Sequence, residues 1–258
     1  MRFKSHSFTG LRLLRHLFAT VLCAGSVFAA GLNDTGITNF ANDSQNGLAT
    51  EPGTHPRQDA SQGRDAAARD GTLFKVGGGG AGFDFTKIAN NGSVLSASAT
   101  LGTGSKDWAC TRDNVTGLVW EVKTTSGLHS QSHTYTWYNS NSSTNGGSPG
   151  TSSGGSCHAS GRCDTEKFVA DVNAARLCGA SDWRMPSLKE LSNIADLGRS
   201  SPAIDPTYFP NTASTFTWSA SPVSFDTSMA WYVSFSSGKA YVFNRNNPSA
   251  VLLVRQGQ

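Results

Sequence analysis

Asp182-Trp183-Arg184-Met185-Pro186-Ser187-Leu188-Lys189-Glu190-Leu191 is the densest motif in the chain, and its reading decides the fold. Ser187 and Glu190 stand three residues apart. At that spacing a serine hydroxyl caps the first turn of a helix and the glutamate reaches back to the capping N–H. Pro186 directs the chain into that turn. Leu188, Leu191 and Ala195 then make a buried stripe, with Ile194 at its edge and Gly198 as the stop. Trp183 reads as a core plug, and Arg184 as a bidentate clamp on Glu190 or on a backbone carbonyl. A catalytic or ligand-binding use of Arg184 and Glu190 is the alternative. The structural reading is preferred because each residue type here has a fold-building use.

Working upstream, Asp164 or Thr165 can cap an earlier helix whose buried face is Phe168, Val172 and Ala175 and which ends by Gly179. Before it, residues 126–161 are mostly Ser, Gly, Asn and Thr, interrupted by Tyr135, Trp137 and Tyr138. They read as a long surface insertion tacked down by those aromatics. Gly117–Lys123 reads as a core strand, Phe83–Ile88 as a half-buried strand and Leu73–Val76 as a short first strand. Downstream of the motif, Phe216–Ser219, Ala230–Phe235, Lys239–Phe243 and Val251–Arg255 are short strands broken by Gly, Asn, Pro and Ser. Strands, two helices, then antiparallel strands make an α+β domain, not an alternating parallel one. That domain covers 72–258. Residues 30–71 are poor in large apolar side chains and read as disordered.

The start of the chain points to export. Arg2, Lys4, Arg12 and Arg15 precede the apolar run Leu17–Ala29, and Val27 and Ala29 suit a cleavage site, so residues 1–29 read as a signal peptide. The run is shorter than the roughly 20 residues a membrane-spanning helix needs. No other stretch approaches that length, so no transmembrane segment is expected after cleavage. Removing those four basic residues leaves 17 of the 21 against 18 acidic ones, close to −1. With no basic stripe, a nucleic-acid partner is not expected. Cys110, Cys157, Cys163 and Cys178 form an even set in an oxidising compartment. Of the three pairings open to them, Cys110–Cys178 and Cys157–Cys163 are expected. No spacing is Cys-x₂-Cys, and no metal or other cofactor is expected.

Other motifs carry little chemistry. Gly77-x-Gly79-x-x-Gly82 lacks the helix that a dinucleotide fingerprint requires. Gly146-x-Ser148-x-Gly150 lies in Ser/Gly sequence beside Pro149, not on a strand-to-helix elbow. His129 and His133 stand four apart with no third ligand nearby. They are the candidate residues, with Arg184 and Glu190, should the chain be an enzyme.

Taken in order, several segments resemble the Lcl C-terminal domain family, named for the C-terminal domain of a collagen-like bacterial adhesin. They are Asp113–Glu121, Asp182–Leu191, Tyr208-Phe209-Pro210-Asn211-Thr212, Trp218-Ser219-Ala220-Ser221, Ala230-Trp231 with Val233, Phe235 and Gly238, and Val254-Arg255. The Trp183–Ser187 segment is also similar to formylglycine-generating-enzyme-like domains, which implies a C-type-lectin-like fold. The reactive cysteine pair of those enzymes and the calcium motifs of sugar-binding lectins are missing, so neither activity is implied. Trp120, Trp183, Arg184, Pro186, Glu190, Trp218, Trp231 and Arg255 would be framework residues.

Between those framework positions lie Phe225, Asp226, Tyr232, Ser234, Ser236, Tyr241, Phe243, Asn244, Asn246 and Asn247. This region resembles the variable region of diversity-generating-retroelement target proteins, whose asparagine-coded positions build a ligand-binding surface on a fixed scaffold. Tyr and Phe offer large contact area with few rotatable bonds, and Ser and Asn adapt their hydrogen bonds. By strand alternation Trp231, Val233 and Phe235 face the core, and Tyr232 and Ser234 face outward. The expected function is a secreted, non-enzymatic binding or adhesion module for an extracellular protein or glycan; the alternatives are a secreted enzyme on a lectin-like scaffold and a structural cell-surface protein without a discrete ligand.

Overall fold

The computed structural model describes residues 31–257, so the signal peptide expected at 1–29 lies outside the described residues. In chain order the elements are β1 (Phe40–Ala41), β2 (Asn46–Leu48), α1 (Gly63–Arg69), β3 (Phe85–Ala89), β4 (Trp108–Asp113), β5 (Leu118–Glu121), α2 (Thr165–Ala175), α3 (Leu188–Asn193), β6 (Phe216–Pro222), β7 (Met229–Ser234), β8 (Lys239–Asn244) and β9 (Val254–Gln256). Strands β3-β4-β5-β9 form one antiparallel sheet and β6-β7-β8 another, with β1-β2 as a small hairpin. This is an α+β domain tied by the disulfides Cys110–Cys178 and Cys157–Cys163. Among the described residues no helix is long and apolar enough to cross a membrane.

Each main sheet has apolar side chains on both faces, because two cores flank it. One core gathers Ile88, Cys110, Val119, Trp218, Tyr232 and Leu253 around Phe168 and Val172 of α2. The other gathers Phe85, Leu118, Trp120, Val233, Phe235 and Val254 around Leu191 of α3 and Ile194 and Ala195 just past its end. Successive strand residues therefore enter opposite cores, as the period of two requires. Ile194, expected at the edge of the α3 stripe, is fully inside.

The Ser187–Glu190 capping box forms as read. The Ser187 hydroxyl accepts from Glu190 N at 3.3 Å, and Ser187 N donates to Glu190 Oε2 at 2.8 Å. Arg184 clamps the same carboxylate through Nη1 and Nη2, at 2.9 and 2.6 Å. The α3 helix stops at Asn193 rather than at Gly198, since Leu197 N turns away to bond Thr35 O. Asp164 caps α2 by accepting from Lys167 N at 2.9 Å. That helix ends earlier than expected, because Arg176 leaves it in the left-handed conformation with φ 54°.

Three further expectations change. Residues 31–71, read as disordered, contain α1 and β1-β2 and are wired into the domain by polar contacts, which composition does not register. The buried Asp65 carboxylate accepts from Gly36 N at 2.7 Å and Gly82 N at 2.6 Å, and Asn33 Nδ2 donates to Asp113 at 2.6 Å. Leu73–Val76 is not a strand; Phe74 and Val76 are exposed, as nothing packs over them. Of Val251–Arg255, only the end pairs as β9, while Val251–Leu253 is buried irregular chain that gives Leu253 O to Glu121 N.

The 126–161 insertion is anchored, not draped. Tyr135 and Trp137 are fully buried, and Trp137 Nε1 donates to Ser219 O at 2.9 Å. Arg245, just past β8, is buried beneath it. Its Nε donates to Met229 O at 2.9 Å, and its Nη1 donates to Asn145 O at 2.9 Å and to Ser148 O. The guanidinium lies 4.0 Å from the centre of the Trp137 ring. At the start of the insertion, the buried Glu121 carboxylate takes Lys123 Nζ and His129 Nδ1, each at 2.8 Å, and Leu253 N at 3.0 Å. Burial alone would raise the Glu121 carboxyl, but Lys123 and His129 outweigh it and hold it low.

Burial pushes the Glu190 carboxyl up, yet Arg184 and Ser187 win and hold it below the usual carboxylate range. Glu190→Ala should therefore cost about 1–2 kcal/mol at neutral pH, a modest sum because Arg184 is half exposed. The stabilisation is whole above the ordinary carboxylate range and is lost as pH falls through the depressed folded value. Urea unfolding of the two proteins should accordingly converge on acidification. Arg245→Met should cost about 2–3 kcal/mol and speed proteolytic cutting between residues 139 and 153; an unchanged cutting rate would show that Arg245 is not the anchor.

Candidate functional site

The β6-β7-β8 sheet turns one face toward the C-terminal surface region picked out by sequence. In register, Trp218, Tyr232 and Tyr241 form one cross-strand row, and Ala230 pairs with Phe243 and Phe216 with Ser234 in rows on either side. Directly opposed residues share a face, so Phe216, Trp218, Tyr232, Tyr241 and Phe243 meet there. Ring centroids are 4.6 Å apart for Phe216 and Tyr232, 5.8 Å for Tyr232 and Tyr241, and 5.7 Å for Tyr232 and Phe243. Trp218 crosses Tyr232 edge-on at 6.1 Å, a geometry that aromatic pairs favour.

This cluster has a closed floor and an open rim. Trp218 is sealed, with its Nε1 donating to Tyr135 O at 3.0 Å. Tyr232 is only 6% exposed, and burial raises its hydroxyl pKa. Phe243 is half-buried. Phe216 and Tyr241 reach solvent at 39% and 45% exposure.

Tyr232 and Ser234 thus do not face outward as strand alternation implied. The face that alternation left to solvent is covered by the insertion, whose Tyr135 and Trp137 belong to the same core as Tyr232. Ser234 is buried with its hydroxyl 2.8 Å from that of Ser236. Trp231, expected in the core, is only half-buried: the core built on α3 includes Val233 and Phe235 and ends there.

The remaining positions fall at one end of the sheet, where Met229 pairs with Asn244. Phe225, at 73% exposure, and Asp226 lie in the β6–β7 loop. Asp226 accepts from Ser228 N at 2.8 Å and from the Ser228 hydroxyl at 2.7 Å, and these bonds hold its carboxyl below the usual range. Asn244, Asn246 and Asn247 form the turn after β8, with Asn246 N bonded to Asn244 Oδ1 at 3.1 Å and Asn247 N bonded to Asn244 O at 3.0 Å. Ser236 sits beyond the opposite end of β7. The structure therefore assembles Phe216, Tyr241 and Phe243 on the face, and Phe225, Asp226 and the asparagines at its end.

Phe216 was missed in the sequence. The signal was present, since Phe216 stands two residues before Trp218 and so shares its side of the strand. The framework residues Trp120, Trp183 and Pro186 are buried, and Arg255 pairs with Asp182 at 2.6 Å. His129 is held by Glu121, while His133 Nδ1 lies 3.3 Å from Leu128 O and 3.5 Å from the Tyr135 hydroxyl. Their side chains are turned to different partners. Among the described residues the grouping with metal-ligating geometry is Asp34, Asp59 and Asp65, and Asp65 is already engaged by backbone N–H groups.

No curated protein and no solved structure matches the chain. A family model described as the Lcl C-terminal domain matches residues 109–255, which takes in β4 from Ala109 on, β5, both disulfides, α2, α3 and the whole aromatic face. The chain belongs to the Lcl C-terminal domain family.

Proposed function

We propose that this protein is an exported, non-enzymatic adhesion module that binds an extracellular protein or glycan. Its contact surface is the rim of the β6-β7-β8 face together with the adjoining loop end. The observation that carries this reading is the placement of the solvent-reaching rings Phe216 and Tyr241 around a closed floor, with the exposed Phe225 in the loop at the sheet end. Trp218 and Tyr232 are locked by packing and by the Trp218–Tyr135 hydrogen bond. Rigid aromatic anchors lose little conformational entropy on binding, and they dominate the energetics of protein interfaces. Asp226, Asn246 and Asn247 add hydrogen-bonding groups at the edge. The adhesin after which the family is named supports the same reading, and the two disulfides accord with an oxidising destination.

Retroelement diversification, if it acts on this chain, is confined to exposed positions. Phe225, Asp226, Tyr241 and Asn246 could accept many side chains. Tyr232 and Ser234 could not, since a change there would disturb the core. A near-copy of the DNA coding for residues 215–255, differing at adenines and lying beside a reverse-transcriptase gene, is the genomic mark of such a system.

The rim and the floor should separate under mutation. In the purified mature chain, Tyr241→Ala with Phe225→Ala should weaken capture of the glycan or protein identified on an array by at least about tenfold, at unchanged melting temperature. Tyr232→Ala should instead cost about 2–4 kcal/mol of stability. Full capture by the Tyr241/Phe225 double variant would remove this face as the binding surface.

A further inference from the structure

A second concave site lies on the other sheet. A cleft of about 540 Å³ is bounded by Arg112, Val119 and Arg255 on one side and by Arg176, Ser181 and Asp182 on the other. Register explains the first wall. Arg112 of β4 stands opposite Val119 of β5, which stands opposite Arg255 of β9, so two arginines flank one valine on a single face. The second wall is the chain that leaves α2 through the left-handed residues Arg176 and Cys178, tied to β4 by the Cys110–Cys178 disulfide.

The charges in this cleft do not balance. Three guanidinium groups meet one carboxylate. Asp182 engages Arg255 through Nε at 2.6 Å. Arg176 has a single long bond, Nη2 to Gly179 O at 3.4 Å. Arg112, which also borders a smaller depression near Thr86 and Asn114, makes no side-chain hydrogen bond or ion pair with any described residue, and its Nε is buried without an acceptor. Buried donors in folded proteins nearly always have partners, and Arg112 differs from the other orphaned guanidinium, Arg245, in making no side-chain hydrogen bond to the described residues at all.

We propose that this cleft binds a small organic acid carrying two carboxylates, one held by Arg112 and the other by Arg176 with the terminal nitrogens of Arg255. Planar carboxylates match the guanidinium fork. Strands β4 and β9 are separated by β5, so their backbones lie about 9–10 Å apart. The positive groups thus originate at two separated points, which suits a ligand with charge at both ends. Val119 lines the cleft between them and can pack against a short carbon chain, while Ile88 borders the cleft from β3, beyond β4. The volume suits a small molecule. This site is independent of the aromatic face, which lies on the other sheet.

Calorimetry on the disulfide-bonded mature chain at low ionic strength tests it, with succinate, acetate and sulfate as probes. Succinate should bind once per chain, at least about tenfold tighter than acetate or sulfate, and more weakly as salt is added. Arg112→Gln should lower succinate affinity at least about tenfold without changing the melting temperature. Should that variant fail to fold, Ser181→Glu decides: Ser181 is exposed, and a fixed carboxylate at the rim should displace the ligand. The proposal is overturned by absent saturable succinate binding, by equal affinity for acetate or sulfate, or by binding undiminished in the decisive variant.

Discussion

The buried guanidinium of Arg245 is the constraint on which the functional surface depends. Among the described residues it has no carboxylate within ion-pair distance. Its hydrogen bonds go to the carbonyls of Met229, Asn145 and Ser148, and its plane lies against Trp137. One side chain thereby joins β7, the turn after β8 and the tip of the insertion. Desolvation pushes the Arg245 pKa down, and Nη2 is left without an acceptor. That cost is borne because the same contacts fix Trp137, whose indole N–H then reaches Ser219 O. With the insertion seated, Tyr135 closes over Trp218. The aromatic cluster keeps only its rim in solvent.

Closure of that face also organises the interior. Because each main sheet stands between two cores, polar groups that enter it need partners. Glu121 shows how this is met: Lys123, His129 and the N–H of Leu253 surround a carboxylate with no solvent contact. These bonds connect β5 to the first turn of the insertion and to the segment leading into β9. The insertion is thus held at its root by Glu121 and near its tip by Arg245. The N-terminal segment is held in a similar way, with the Asp65 carboxylate receiving N–H groups from Gly36 and Gly82.

Two surfaces of different chemistry result. One is an aromatic rim on the three-stranded sheet, suited to broad contact. The other is a cationic cleft on the four-stranded sheet, formed where the chain leaving α2 crosses β5. The Cys110–Cys178 bridge ties that crossing to β4. The two surfaces share no residue, so a change in one need not disturb the other.

Local chemistry was legible in the sequence. The Ser187–Glu190 box, the Asp164 cap, the Arg184 clamp and most strand positions rest on spacings of a few residues and read directly, whereas compartment implied oxidised cysteines but left three pairings open, of which the expected one forms. The order of the 31–71 segment did not, since it comes from single polar bonds to distant backbone rather than from apolar content. Nor could alternation place Tyr232 and Ser234, because a period of two separates the faces of a strand without saying which face is covered. The family and the α+β architecture were thus set by the sequence. Which aromatics meet solvent was set by an insertion folding back onto the sheet, its Trp137 and Tyr135 bonding β6 residues 82 and 83 positions further on, a contact that no local pattern encodes.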